Sequence, residues 1–120
     1  MSFRETTGVI ATWQPNGAVA PLRGLAEQTY RDFDVVLVTE CGAAAWGGGE
    51  IQGQNIMVVE APSIQFHAPA HAYNVGIAEV TGECVLLLHD FSYPSPKWVE
   101  VMVDALKQDR VTIVAGLDCP

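Results

Sequence analysis

Residues 33–39 read Phe-Asp-Val-Val-Leu-Val-Thr, and the centre of this run, Val35–Val38, is apolar throughout. A strand that buries one face alternates apolar and polar side chains, whereas a strand that is covered on both faces is apolar without interruption. Residues 33–39 therefore predict a strand inside a parallel sheet, with helices packed on both of its faces.

Short apolar segments alternate with patterns of helical period on both sides of this strand. The further predicted strands are Gly8–Thr12, Ile56–Glu60, Cys84–Leu88 and Val111–Ala115. One predicted helix begins near Gly17 and has apolar positions up to Ala26, a second spans Pro69–Ala78, and a third begins at Ser95. Ser95 is expected to be the N-cap of the last helix and Pro96 its first residue. The alternation predicts one α/β domain over residues 1–120, with a mostly parallel sheet and helices on both faces.

Local composition adds expectations for individual segments. In the last helix, the expected buried face is Trp98, Val101, Met102 and Ala105. Cys41–Gly53 is rich in glycine and alanine, which predicts a loop or a short helix that packs poorly. On the middle helix, Gly76 is expected to allow close approach to the sheet, and Asn74 to satisfy buried backbone groups.

Composition also bounds the function. The net charge is −8, from 14 acidic and 6 basic residues. Nucleic-acid binding needs clusters of Lys and Arg, so we expect no nucleic-acid partner. No apolar run approaches the roughly 20 residues of a membrane-spanning helix. The first residues also lack the apolar segment of a signal peptide, and these two features together predict a cytoplasmic protein.

Ligands of open parallel sheets bind beyond the carboxyl ends of the strands. The predicted strands end near Thr12 and Trp13, near Glu40, and near His89 and Asp90. Trp13 offers a face to a nucleobase, Glu40 an acceptor for a base N–H group, and Asp90 a ligand for a divalent cation. Each residue also has a structural alternative: a packed tryptophan, a solvated glutamate and a turn-capping aspartate. His67 and His71 are four residues apart, but Pro69 between them disfavours a metal site.

A series of short motifs resembles family 2 glycosyltransferases from about Thr7 to Gly116. The strand that ends at Thr12-Trp13, the Gln28-Thr29-Tyr30 segment and the strand of residues 33–39 occur in that family's order. Later stretches are similar to the family's Ala-Arg-Asn-x-Gly-Ile, Gly-Glu, Leu-Asp-Asp-Asp and Pro-x-Trp motifs. These stretches are Ala72-Tyr73-Asn74-Val75-Gly76-Ile77, Gly82-Glu83, Leu86-Leu87-Leu88-His89-Asp90 and Pro94-Ser95-Pro96-Lys97-Trp98.

The resemblance implies the nucleotide-binding half of a GT-A fold and a nucleotide-diphosphate sugar as donor. It implies that Thr12, Trp13 and Glu40 contact the base, and that His89 and Asp90 lie near the diphosphate. By the same resemblance, Asp90 would hold Mn²⁺ or Mg²⁺. The family's DxD-type motif reads His89-Asp90-Phe91 here, so two carboxylates are missing, which argues against metal dependence.

The resemblance ends where the family's acceptor half begins, so no residue is assigned as the catalytic base. We therefore expect a truncated or divergent glycosyltransferase whose isolated chain has little or no activity. One alternative is a catalytically inactive nucleotide-binding or assembly module with the same fold. Another is an unrelated α/β assembly domain that forms a homo-oligomer through an exposed edge strand.

Overall fold

A computed structural model describes residues 5–47, 55–61 and 69–107. Its strands are β1 (Thr6–Thr12), β2 (Asp34–Thr39), β3 (Ile56–Glu60) and β4 (Cys84–His89). Its α-helices are α1 (Val19–Ala26), α2 (Pro69–Ile77) and α3 (Trp98–Leu106), and a short 3₁₀ helix spans Gly42–Ala45. The predicted strand Val111–Ala115 and the residue His67 lie outside the described residues.

The described strands form one sheet in the order β3-β2-β1-β4, and every neighbouring pair is parallel. The central strand β1 pairs Thr12 with Thr39 of β2 and Ala11 with His89 of β4. All carboxyl ends therefore meet at one edge of the sheet. The predicted α/β class with a parallel sheet is confirmed.

Both faces of the sheet are covered, which explains the uninterrupted apolar run in β2. Val36 and Val38 point to one face and join a buried cluster with Tyr73 of α2. Val35 and Leu37 point to the other face, where the buried cluster includes residues of α1 and α3. Burial of each such side chain stabilises the fold by about 1.5–3 kcal/mol.

Helix α2 packs closely on the sheet at Gly76. A Cβ atom on this residue would lie 2.7 Å from Val9 Cγ1 and 2.8 Å from Val38 Cγ2, so only glycine fits without movement. The prediction for Gly76 is confirmed. The prediction for Asn74 is wrong, because its side chain is exposed on the outer side of α2.

The start of α3 differs from the prediction. The helix begins at Trp98, and its N-cap residue is Lys97. The Lys97 side chain makes no capping hydrogen bond. The carbonyl of Ser95 accepts a hydrogen bond from the Trp98 N–H group at 2.9 Å, so Ser95 closes a turn before the helix. The Val99 N–H group instead donates to Oε1 of Gln28 at 2.8 Å. A distant glutamine therefore satisfies one N–H group in the first turn of the helix.

The buried face of α3 is also rotated from the predicted one. Val99, Met102 and Val103 are buried, whereas Val101 is 59% exposed. Apolar residues occupy so much of the circumference of α3 that helical period alone does not fix the inward face. The expected Trp98 is half-buried against the core, and Met102 is the predicted member that is buried.

The described part of the glycine- and alanine-rich segment, residues 41–47, packs better than predicted, and residues 48–53 of that segment lie outside the described residues. Ala45 in the 3₁₀ helix is fully buried, and Trp46 packs against the same core cluster. The carbonyls of Ala44 and Ala45 accept hydrogen bonds from the backbone N–H groups of Asn16 and Ala18, at 2.7 and 2.8 Å. Because alanine side chains are small, this segment lies close to the β1–α1 loop (residues 13–18).

Candidate functional site

A pocket opens at the carboxyl-terminal edge of the sheet, between the ends of β1 and β4. Its volume is about 160 Å³, which is small for a complete ligand but large enough to take one part of it. Its lining comes from three places: the end of β1 with the residues that follow it, helix α2, and the end of β4. The lining residues are Ala11, Trp13, Gln14, Ala72, Tyr73, His89 and Asp90.

Asp90 joins the ends of the two strands. Its Oδ2 atom accepts a hydrogen bond from Thr12 Oγ1 at 3.1 Å and another from Gln14 Nε2 at 3.2 Å. The backbone N–H of Gln14 also donates to Thr12 Oγ1, at 3.1 Å. These contacts hold the β1–α1 loop against the end of β4.

The loop is tight, and Gly17 is required within it. A Cβ atom on Gly17 would lie 2.1 Å from Thr12 Oγ1, which no side chain can tolerate without displacing the threonine. The Gly17 carbonyl also accepts a hydrogen bond from the Phe91 N–H group at 2.8 Å. Backbone and side-chain contacts therefore fix the loop beside the pocket.

Tyr73 of α2 forms one wall of the pocket and remains a neutral phenol. Its hydroxyl donates to the carbonyl of Leu88 at 2.5 Å, and its ring meets the His89 ring edge-on, with centroids 6.4 Å apart. Burial, together with the nearby Asp90 carboxylate, raises the pKa of Tyr73 to about 12. Tyr73 therefore supplies an uncharged aromatic wall at physiological pH.

The structure brings some of the predicted site residues together and leaves others apart. Trp13, His89 and Asp90 line the pocket, and the Trp13 side chain is 52% exposed at its mouth. Thr12 is buried behind the pocket and contacts Asp90. Glu40 follows β2, one strand further along the sheet, and its exposed side chain is not among the lining residues.

Gln14 and Tyr73 also line the pocket but were not predicted from the sequence. Gln14 directly follows Trp13, so its polar side chain at a strand end was the available signal. Tyr73 occupies the second position of the Ala72-Tyr73-Asn74 motif, where the related family has arginine. Its inward orientation depends on how α2 packs on the sheet, which no local pattern records.

The comparisons with known proteins agree with this architecture. Residues 52–117, more than half of the chain, match the family model described as glycosyl transferase family 2. The chain belongs to this family. The predicted resemblance to family 2 glycosyltransferases is confirmed, and the fold is a GT-A, Rossmann-like α/β fold. No curated protein matches the chain.

A solved structure supports the fold. The crystal structure of S. aureus TarS matches with a TM-score of 0.65 and 17% sequence identity over 87% of this chain. The match covers 20% of TarS, so this chain spans about a fifth of the length of that protein.

Within the described residues, none of the helices combines the length and the apolar content that crossing a bilayer requires.

Proposed function

We propose that this chain is the donor-binding half of a family 2 glycosyltransferase and that it binds a nucleotide-diphosphate sugar at the pocket beside Trp13. The observation that carries the proposal is the position of Trp13, His89 and Asp90 around one pocket at the carboxyl-terminal edge of a parallel sheet. Open α/β sheets bind their ligands at this edge. Family membership supports a nucleotide sugar as the ligand class.

Each residue has a role that follows from its position. The exposed face of Trp13 provides a stacking surface for a nucleobase at the mouth of the pocket. His89 and Gln14 also line the pocket and supply polar side chains to it. Glu40, at the neighbouring strand end, would reach only a part of the base that extends beyond the pocket. Thr12 acts through Asp90, because its hydroxyl donates to that carboxylate.

The reaction of the family would displace the nucleoside diphosphate at the anomeric carbon of the sugar. An acceptor hydroxyl must then lose its proton to a positioned base. Among the described residues, Asp90 is the only carboxylate that lines the pocket, and two donors already occupy its Oδ2 atom. We therefore propose that the isolated chain binds the donor without transferring the sugar. The same observation favours the alternative of a catalytically inactive nucleotide-binding module.

Three further expectations remain proposals. Residues 1–120 would form a single domain, and the protein would be cytoplasmic. A homo-oligomer would form through a sheet edge, where Leu87 of β4 is 50% exposed and Val58 of β3 is 39% exposed. Light scattering of the purified chain tests the oligomer, and a monomeric mass would contradict it.

Isothermal titration with UDP and with GDP tests donor binding, in EDTA and in MnCl₂. We expect heat with at least one nucleotide, and Trp13→Ala should weaken that affinity by about 5- to 150-fold, because stacking of a base contributes about 1–3 kcal/mol. Val101→Ala is the control, since Val101 is exposed on α3 and does not line the pocket. Absence of heat with both nucleotides under both conditions would contradict the proposal. Release of UDP from UDP-glucose by the isolated chain would contradict both the inactive alternative and the proposed lack of transfer.

A further inference from the structure

The carboxylate of Asp90 accepts hydrogen bonds from other residues of the chain, whereas its position in the family motif implies a metal ligand. Both of its hydrogen-bond donors, Thr12 and Gln14, come from the end of β1 and the residues just after it. Trp13, the proposed base platform, lies between these two donors in the chain. Asp90 therefore contacts the residues on either side of Trp13, and through them it restrains the platform.

The donor set around Asp90 does not fit a divalent cation. Mg²⁺ keeps several waters and is held by one or two carboxylates together with the phosphates of a nucleotide, and the described lining of this pocket supplies a single carboxylate. The side chain of the flanking Phe91 has no ligand atom, and Asp90 Oδ2 is already shared by two donors. The described residues contain no group of three or more His, Cys, Asp or Glu side chains arranged to hold a metal.

The charge of the pocket also disfavours the binding of a diphosphate. Neither Lys nor Arg is among its described lining residues, and Asp90 carries a negative charge there. The complete chain has a net charge of −8. A diphosphate in this pocket would therefore meet repulsion, with no described cation to offset it, whereas an uncharged nucleoside would not.

We propose that Asp90 is a positioning residue that holds Trp13 in place, and that the pocket binds the nucleoside part of a nucleotide without a divalent cation. The diphosphate then weakens binding. This inference rests on the proposed function for its ligand class, but the role of Asp90 does not depend on which nucleotide binds.

Two substitutions of Asp90 separate a positioning role from a metal-binding role. Asp90→Asn keeps an oxygen that accepts from Thr12 and Gln14 but removes the charge, whereas Asp90→Ala removes the acceptor. In EDTA, Asp90→Ala should weaken binding of uridine or guanosine about tenfold, the effect of losing one charged hydrogen bond. Asp90→Asn should instead tighten binding of UDP or GDP by about threefold, because repulsion is lost. Asp104→Asn on α3 controls for the general loss of one negative charge.

A metal-binding role predicts the opposite pattern. Mn²⁺ would then tighten binding of UDP or GDP to the wild-type chain at least tenfold, and Asp90→Asn and Asp90→Ala would abolish that gain equally. Electron paramagnetic resonance of Mn²⁺, with the chain alone and with UDP or GDP present, measures bound metal directly. Because UDP and GDP themselves bind Mn²⁺, each sample is compared with the same solution without protein, and we expect the chain to leave the free Mn²⁺ signal unchanged in every pair. Metal bound by the wild type and released by Asp90→Asn would overturn the inference.

The indole N–H resonance of Trp13 reports its position without any ligand. Trp13→Phe assigns this resonance among the three tryptophans. We expect Asp90→Ala to shift the resonance and Asp90→Asn to leave it near its original position. Gln14→Leu removes one donor and should shift it in the same way, which keeps the test available if Asp90→Ala does not fold. An unmoved resonance in Asp90→Ala, or in Gln14→Leu where that variant replaces it, would overturn the positioning role.

The outcomes for the two proposals are distinguishable. If neither nucleosides nor nucleotides give heat under any condition, the proposed function fails, and with it the nucleoside part of the inference. The manganese and indole measurements still decide the role of Asp90, because neither requires nucleotide affinity. If nucleotides bind only with Mn²⁺, the proposed function stands and the inference fails.

Discussion

Two polar side chains, Gln28 and Asp90, connect the first half of the described chain to its second half, and they do so in different environments. Gln28 is 3% exposed, and its amide contacts three backbone groups, those of Gly24, Ser95 and Val99. Asp90 lies at the pocket and is bound by two side chains, Thr12 and Gln14. Gln28 fixes α1 to the start of α3, whereas Asp90 fixes a loop that a ligand would contact.

The two junctions differ in burial, and burial determines how much stability is lost when a hydrogen-bond partner is removed. A buried amide that loses its partners leaves backbone groups unsatisfied, so the Gln28 junction is expected to tolerate little change. The Asp90 junction is half-buried, and water can replace a lost partner there. We therefore expect substitutions at Gln28 to reduce global stability, and substitutions at Asp90 to act mainly on Trp13 and on binding.

The largest expected effect is that of Gln28→Leu. This substitution keeps the volume of the side chain but leaves the Val99 N–H and the carbonyls of Gly24 and Ser95 without their partner. The free energy of unfolding should fall by about 3 kcal/mol, since each unsatisfied buried group costs about 1–3 kcal/mol and some relaxation is expected. Urea denaturation measures this change.

Gln14→Leu is the matched control at the other junction and should lower stability by less than about 1 kcal/mol. Equal losses for Gln28→Leu and Gln14→Leu would remove the distinction between the two junctions.

An intermediate effect is expected at Tyr73, between the core and the pocket. The pKa of this phenol is raised to about 12 by burial and by Asp90, so the folded state holds the proton more tightly than the unfolded state. The resulting stabilisation is complete below about pH 10, the ordinary pKa of tyrosine, and is lost as pH rises through about 12. Stability should therefore decline over this range.

Tyr73→Phe isolates that effect, because phenylalanine cannot ionise. Urea midpoints of the wild type and of Tyr73→Phe, measured between pH 9 and about pH 12, should converge as pH rises. Other groups titrate equally in both proteins, so they cancel from the difference. A constant difference across this range would show that Tyr73 ionises equally easily in the folded and the unfolded chain.

The smallest effect is expected at Tyr93, which is exposed and donates a hydrogen bond to Glu27. The hydrogen bond to Glu27 raises the pKa of Tyr93, but the pair lies in water. Exposed pairs contribute little to stability, so Tyr93→Phe should leave the urea midpoint at pH 7 unchanged within error. A clear loss of stability would mean that polar contacts at the surface matter as much as the Gln28 junction.

Most of the fold could be predicted from sequence because buried parallel strands carry a strong local signal. The bounds of β3 matched the prediction, and those of β4 differed by one residue at its end. The predicted orientation of α3 was wrong because apolar residues occur on most sides of this helix. The N-cap at Ser95 was wrong because the competing partner, Gln28, lies 71 residues from Val99 in the chain. Long-range hydrogen bonds of this kind leave no local pattern.

The candidate site was predictable in part for a similar reason. Strand ends meet at one edge in any parallel sheet, so the closeness of Trp13, His89 and Asp90 could be predicted without knowledge of the strand order. The position of Glu40 relative to the pocket depends on that order, since β1 separates β2 from β4. Gln14 and Tyr73 enter the pocket through the path of a loop and the packing of a helix.

The central claim is that the ends of β1 and β4 form a nucleotide pocket with α2. Chemical-shift mapping by NMR during titration with UDP, uridine, GDP and guanosine tests it most directly. We predict that at least one of these ligands shifts the Trp13 indole and the backbone amides of Gln14, His89 and Asp90, and leaves the amides of α3 unchanged. Shifts confined to α3 or to the 3₁₀ helix, or no shifts with any of the four, would contradict the claim.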